Sequence, residues 1–315
     1  MPPPNLIVFT GSANPTLAEA IAENLAVRLG RRSLTRFPDS ELHVEIEETV
    51  RDANVFIVQP TSPPVDQHLI ELFFLGDACR RAGARTLTAI MPYFGYARQD
   101  RRASGRDAVG ARLVADLIAR AGVDRIVAVD LHSSALEGFF AIPLEHLSAV
   151  GLLANAARDF VGPQHVIVAP DLGAVKLGER YAELLHLSMA IIHKIRLSGT
   201  AVKVREVVGD VRGKRPMIID DMISTGATIE AAAHALTAAG CTPEITVVAT
   251  HALQVGPAND RLAALKLRRL IVTDSVVQAL NPAVPTQVVS LAPMLAEVVS
   301  RLNVGESLDE FISHR

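Results

Sequence analysis

Met217-Ile218-Ile219-Asp220-Asp221-Met222-Ile223-Ser224-Thr225-Gly226-Ala227-Thr228 puts three kinds of residue in a fixed order. An apolar run of strand length comes first, two acids follow, and a short hydroxyl-bearing turn leads into an alanine-rich helical pattern over 228–239. A buried strand passing through a short polar turn into a helix is the repeating step of a parallel α/β sheet. The expectation is therefore a strand over 216–219 that ends in the two acids, with the turn at its carboxyl end.

The same step recurs in both directions. Residues 166–169, 188–192 and 244–249 read as further strands of this half, and 178–185 as a helix. Toward the N-terminus, 6–9, 55–59, 86–90 and 125–129 read as strands, with 66–82 and 107–121 as the clearest helices. Crossovers of a dozen or more residues between such runs predict parallel sheets covered on both faces. The rhythm restarts near residue 148 without a Pro/Gly-rich linker or a residue-level repeat. Two α/β domains, 1–148 and 149–315, are expected.

Bulk properties narrow the function classes. A chain of 315 residues can bury two full cores, and 49% hydrophobic against 21% charged residues describes a globular protein. A formal net charge of −3 supplies no global basic field for nucleic acid or an anionic membrane, so an anionic ligand needs local donors and a metal. Cys79 and Cys241 are far apart and in no metal-like spacing, which fits a reducing cytosolic compartment. Met1-Pro2-Pro3-Pro4-Asn5 does not begin a signal-peptide pattern, and no apolar stretch approaches the ~20 residues of a membrane helix. A cytoplasmic protein is expected.

Within 217–228, Ser224, Thr225 and Thr228 supply hydroxyls, Gly226 permits close backbone approach, and the helix behind them presents unpaired N–H groups. These are the ingredients of a phosphate site, and Asp220 and Asp221 suit ribose hydroxyls, which need acceptors. The plain alternative is that Ser224 or Thr225 caps the helix and the acids are solvated. A nucleotide hydrolase would also use a strand ending in acids, but no Gly-x-x-x-x-Gly-Lys-Ser/Thr loop accompanies it.

Four further stretches follow apolar runs. Met91-Pro92-Tyr93-Phe94-Gly95-Tyr96-Ala97-Arg98-Gln99-Asp100-Arg101-Arg102 gathers three rings in a chain only 4% aromatic, directly before arginines and a glutamine. Rings beside guanidinium groups suit a nucleotide, though a solvated loop with rings tucked beneath it has the same composition. Asp130-Leu131-His132 and Pro170-Asp171-Leu172-Gly173 place acids and a histidine at carboxyl ends of strands, where they could serve Mg²⁺ on a polyphosphate. Taken alone, His132 is better read as a satisfied structural histidine than as a metal ligand. Lys194 and Arg196 precede Ser198-Gly199-Thr200, so they are either exposed strand-end cations or charges on a closing loop that meets a migrating phosphoryl group.

Together with Arg36-Phe37-Pro38-Asp39-Ser40-Glu41 and Gly138-Phe139-Phe140, these motifs give the chain a resemblance to the ribose-phosphate diphosphokinase family over essentially its whole length. The family makes phosphoribosyl pyrophosphate from Mg-ATP and ribose 5-phosphate. The resemblance implies two phosphoribosyltransferase-like domains, each a mainly parallel sheet flanked by helices, assembled as dimers and then hexamers or tetramers. It implies that Phe37, Asp39 and Glu41 reach the adenine end of ATP from a neighbouring subunit, and that Arg98, Gln99 and His132 contact ATP. It implies Mg²⁺ at His132 and Asp171, and catalysis by Lys194 and Arg196. Asp220, Asp221, Ser224, Thr225, Gly226, Ala227 and Thr228, with Arg196, fall to ribose 5-phosphate.

The chain departs from the family pattern at Ser224 and Ala227, where Asp and Gly are usual, and at Ala174, Leu177, Ala141 and Ile195. Ser307-Leu308-Asp309 places a carboxylate in a pattern linked to phosphate activation and ADP inhibition, so the usual regulation is not expected. Two other readings use the same motifs: a phosphoribosyltransferase, and a non-catalytic homologue that assembles with an active synthetase.

Overall fold

A computed structural model describes residues 5–196 and 202–312. It divides into two compact units: Met1–Ser148 with Ser275–Val277 and Ser290–Arg315, and Ala149–Asp274 with Gln278–Val289.

In the first unit, β1 (Leu6–Thr10) leads through α1 (Pro15–Asn24) to a hairpin of β2 (Arg32–Arg36) and β3 (Leu42–Ile46). Then follow β4 (Asn54–Val58), α2 (Val65–Arg81), β5 (Thr86–Met91), α3 (Gly110–Arg120), β6 (Arg125–Val129) and β7 (Leu144–Leu147). The main sheet runs β1-β4-β5-β6-β7, parallel throughout, as continuous apolar strands such as the fully buried β4 require. Phe9, Ile57, Leu72, Leu87 and Ile118 form its core with no exposed surface. The β2–β3 hairpin is a separate two-stranded antiparallel sheet. The periodicity of the main sheet gives no sign of it.

The second unit holds α4 (Val150–Arg158), β8 (His165–Ala169), α5 (Val175–Leu185), β9 (Ser188–Arg196), β10 (Val202–Val208), β11 (Arg215–Ile223) and α6 (Ala227–Ala238). It continues with β12 (Thr246–Ala252), α7 (Ala258–Ala264), β13 (Arg269–Thr273) and β14 (Thr286–Val289). Its sheet order is β10-β9-β8-β11-β12-β13-β14, with only β10 antiparallel to its neighbour. From β8 the chain builds outward to β9 and β10, then returns to add β11 to β14 on the other side. The direction reverses between β8 and β11, where open α/β sheets bind ligands at their carboxyl ends.

The sequence expectation of a second domain over 149–315 needs correction. Residues 290–315, including α8 (Ala292–Val304), cluster with the first unit. There α8 buries Leu295, Val298 and Val299, packs on α1, and hydrogen-bonds through the Asn303 side chain to Asn54. An amphipathic helix carries no mark of which sheet it will cover.

Candidate active site

The strand quoted first is longer than expected. β11 continues through both acids to Ile223, because its ladder with β12 pairs Asp220 with Ala249, Met222 with His251 and Ile223 with Ala252. Its ladder with β8 stops at Ile218 and Val168. The acids thus sit inside a strand supported on one side only, beside the end of β8. Asp171 follows that end and accepts from the backbone N–H groups of Gly173 (3.0 Å) and Ala174 (3.3 Å), which fixes a short 3-10 turn. Burial pushes the Asp220 carboxyl well above the ordinary carboxylate range. The charge of Asp221, a hydrogen bond between these two carboxyls and the charge of Asp171 add to the shift. Three acids thus lie close enough to influence one another at the reversal of strand order.

Beyond Ile223 the loop is shaped by its carbonyls. The Ile223 and Ser224 carbonyls accept from the Gln254 (3.1 Å) and Val255 (3.0 Å) amides, and the Thr225 carbonyl accepts from Nη1 of Arg261 (3.0 Å). In a trans peptide the N–H points opposite to the C=O. All three carbonyls face the 254–261 segment, so the Ser224, Thr225 and Gly226 N–H groups face away from it, together with the first turn of α6. Backbone N–H groups gathered at a helix N-terminus in this way are suited to an anion.

Gly226 is the N-cap with φ +75°, and no side chain caps α6. Hence Ser224 and Thr225 do not cap the helix, and glycine is needed for its left-handed backbone more than for space. Ala227 opens the helix and is absent from the residues with positive φ, so the departure there leaves the loop unstrained. Thr228 lies in the first turn of α6.

Lys194 and Arg196 fall within β9, their backbones registered against Val204 and Val202 of β10. The strand runs to Arg196, past the expected end at 192, because β10 returns alongside it. The side chains of both cations, and Ser198-Gly199-Thr200, lie outside the described residues.

The first unit places its candidates differently. Arg98 and Gln99 are exposed on a turn after β5, beside a cleft of about 860 Å³ lined also by Asp66, Gln67, Tyr93 and Tyr96. Two of the three rings belong to the packing: Tyr93 and Phe94 are buried, and Phe94 meets Phe140 edge-on at 5.4 Å. Tyr96 has φ +64°, and its hydroxyl donates to Asp66 of α2. That hydrogen bond, which raises the phenol pKa, ties the turn to the opposite wall of the cleft.

His132 is exposed on the loop after β6. Asp130 holds this loop with φ +40° and accepts from the Ser148 hydroxyl at 2.9 Å. Buried His146 accepts the Leu131 N–H at its Nε2 (2.9 Å) and faces Glu137 with Nδ1 (2.7 Å). Phe37, Asp39 and Glu41 occupy the tip of the β2–β3 hairpin, where Asp39 accepts from the Glu41 N–H at 3.1 Å and Phe37 is 51% exposed. Tyr96, His146 and Arg261 carried no local signal of these contacts in the sequence; Arg261 acts 36 residues from its own position.

Two α/β units, one with backbone N–H groups at a helix N-terminus beside carboxyls at a reversal of strand order, define an open α/β protein with its ligand-binding position at the carboxyl ends of the strands. Comparison with known proteins makes this specific. The N-terminal domain of ribose phosphate pyrophosphokinase matches residues 6–122, and the phosphoribosyl synthetase-associated domain matches 197–313. A ribose-phosphate pyrophosphokinase of Fusobacterium nucleatum is 39% identical over 312 residues, covering 98% of each chain. That of Caldanaerobacter subterraneus is 40% identical over 311 residues, again covering 98% of each. The crystal structure of phosphoribosylpyrophosphate synthetase from Mycobacterium smegmatis is similar with TM-score 0.89 and 37% identity, over 96% of this chain and 99% of that one. The chain belongs to the ribose-phosphate pyrophosphokinase family.

Proposed function

We propose that the chain transfers the diphosphoryl group of Mg-ATP to the anomeric hydroxyl of ribose 5-phosphate, giving phosphoribosyl pyrophosphate and AMP. The observation that carries this is the 224–226 nest of backbone N–H groups beside Asp220 and Asp221, in a chain of this family. The nest and the first turn of α6 hold the 5-phosphate, and the two acids accept from ribose hydroxyls. The anomeric oxygen attacks the β-phosphorus in line, its O–H proton passes to solvent water, and the bond from the β-phosphorus to the α-phosphate oxygen breaks as AMP departs. Little covalent chemistry falls to the protein, so positioning and charge neutralisation dominate. Lys194 and Arg196 meet charge developing on the migrating group, and Arg196 also serves the sugar phosphate.

On the nucleotide side, Arg98, Gln99 and His132 contact ATP. The exposed hairpin tip with Phe37, Asp39 and Glu41 suits contact with the adenine end of ATP held by a neighbouring subunit of a homo-oligomer, a dimer-based hexamer or tetramer. Among the described residues no group of three or more His, Cys, Asp or Glu could hold a metal by itself. Asp171 and His132, each within its own unit, would serve Mg²⁺ bound chiefly through polyphosphate oxygens and water, its usual habit, and it would neutralise polyphosphate charge when bound. No described helix is long and apolar enough to cross a membrane; a cytoplasmic location is part of the proposal.

The test is incubation of the purified chain with Mg-ATP and ribose 5-phosphate, following AMP. Stoichiometric AMP and phosphoribosyl pyrophosphate are expected. Absence of AMP, or consumption of phosphoribosyl pyrophosphate with a free base, would overturn the proposal.

A further inference from the structure

Of the three carbonyls that shape the 223–226 loop, two are held by backbone amides and one by a side chain. The side chain is Arg261 in α7, with Nη1 3.0 Å from the Thr225 carbonyl and Nε 3.2 Å from Oε2 of Glu230 in the first turn of α6. The peptide it holds joins Thr225 to Gly226. Gly226, at φ +75°, has the widest choice of backbone conformation in the loop. Released, that peptide could rotate about Thr225 ψ and Gly226 φ, turning the Gly226 N–H out of the nest and a carbonyl oxygen into it. A carbonyl facing a phosphate repels it.

We infer that Arg261 is a positioning residue for ribose 5-phosphate: it acts through the Thr225–Gly226 peptide, fixing its N–H toward the phosphate, and Glu230 fixes the guanidinium. The inference rests on the ribose-phosphate reading of this loop. The planar fork of arginine serves both partners at once, which the point charge of lysine does less well. If release lowers the competent fraction of the loop to about a tenth, apparent affinity falls about tenfold.

Arg261→Met, Arg261→Lys and Glu230→Gln in the full chain provide a graded test. Arg261→Met is expected to raise the ribose 5-phosphate KM about tenfold, with the Mg-ATP KM and thermal midpoint unchanged. Without ligand, it should also speed hydrogen exchange at the Gly226 amide. Arg261→Lys should recover part of both losses, and Glu230→Gln should show a smaller loss. An unchanged sugar KM with unchanged exchange would overturn the inference. So would equal rises in both KM values with a lower thermal midpoint, which mark a general structural role. If the wild-type chain neither binds nor uses ribose 5-phosphate, the proposed function fails, and exchange at Gly226 alone still decides whether Arg261 holds the peptide.

Discussion

The two units share a parallel α/β plan but prepare for ligand in different ways. In the second, strand order reverses beside the acids, and the groups proposed to hold ligand are backbone groups of one short loop. In the first, the five strands advance in one direction, and the candidate groups are side chains on three separated places: a hairpin tip, a turn and a strand-end loop. A site built on backbone groups tolerates side-chain substitution, so Ser224 and Ala227 are compatible with the proposed role of the loop. A side-chain site depends on each residue and on the tertiary contacts that aim it.

This contrast can be attacked in several places. The largest effect is expected from Lys194→Ala, which should lower turnover about 100- to 1,000-fold with little change in ribose 5-phosphate affinity. Near-normal turnover would remove the residue from catalysis. Gly226→Ala comes next. It forces a β-carbon onto a left-handed backbone at a cost of about 1–2 kcal/mol, so sugar-phosphate affinity measured by calorimetry should fall about 5- to 30-fold. Ser224→Ala, by contrast, should matter much less if the backbone does the work.

Tyr96→Phe breaks the tie to Asp66 while keeping the ring. It should raise the Mg-ATP KM about fivefold and leave the sugar KM alone, a split that separates the two sites. The smallest effect, and the one of opposite sign, belongs to Asp220. A carboxyl with a raised folded-state pKa keeps its proton where the unfolded chain has lost it. Stability therefore falls as pH climbs from the ordinary value of 3.8 through the raised one. Asp220→Asn should raise the thermal midpoint at neutral pH by about 2–4 °C, the shift expected for ~1 kcal/mol, and flatten that slope while weakening sugar binding. A lower midpoint would show that Asp220 is not strained in the free protein.

How much of this was legible in the sequence follows the same division. The alternation of apolar runs and helical patterns located the long parallel strands, and the 220–228 loop could be read because its acids, hydroxyls, glycine and helix are contiguous. Strand ends were harder to place. β11 runs past its acids and β9 to Arg196 because neighbouring strands extend their ladders, information held at residues 249–252 and 202–208. The β2–β3 hairpin, the brace from Arg261 and the return of α8 to the first unit depend on contacts distant in sequence. In the aromatic cluster, Phe94 is a core residue, Tyr93 is buried but also lines the cleft, and Tyr96 hydrogen-bonds to Asp66.

The last described residues have a consequence for solubility. β7 is the outer strand of the first sheet, and a parallel edge of this kind offers unpaired N–H and C=O groups to any strand that passes. Ile312 bridges Leu147 in antiparallel fashion, and the Ser148 N–H donates to the Phe311 carbonyl at 2.9 Å. Arg301 holds this segment in place, with its guanidinium 5.0 Å from the Phe311 ring and a hydrogen bond to the Ser307 carbonyl at 3.2 Å. The segment therefore works as a guard rail: trimmed away, it would leave a sticky border along which copies of the chain could join strand to strand.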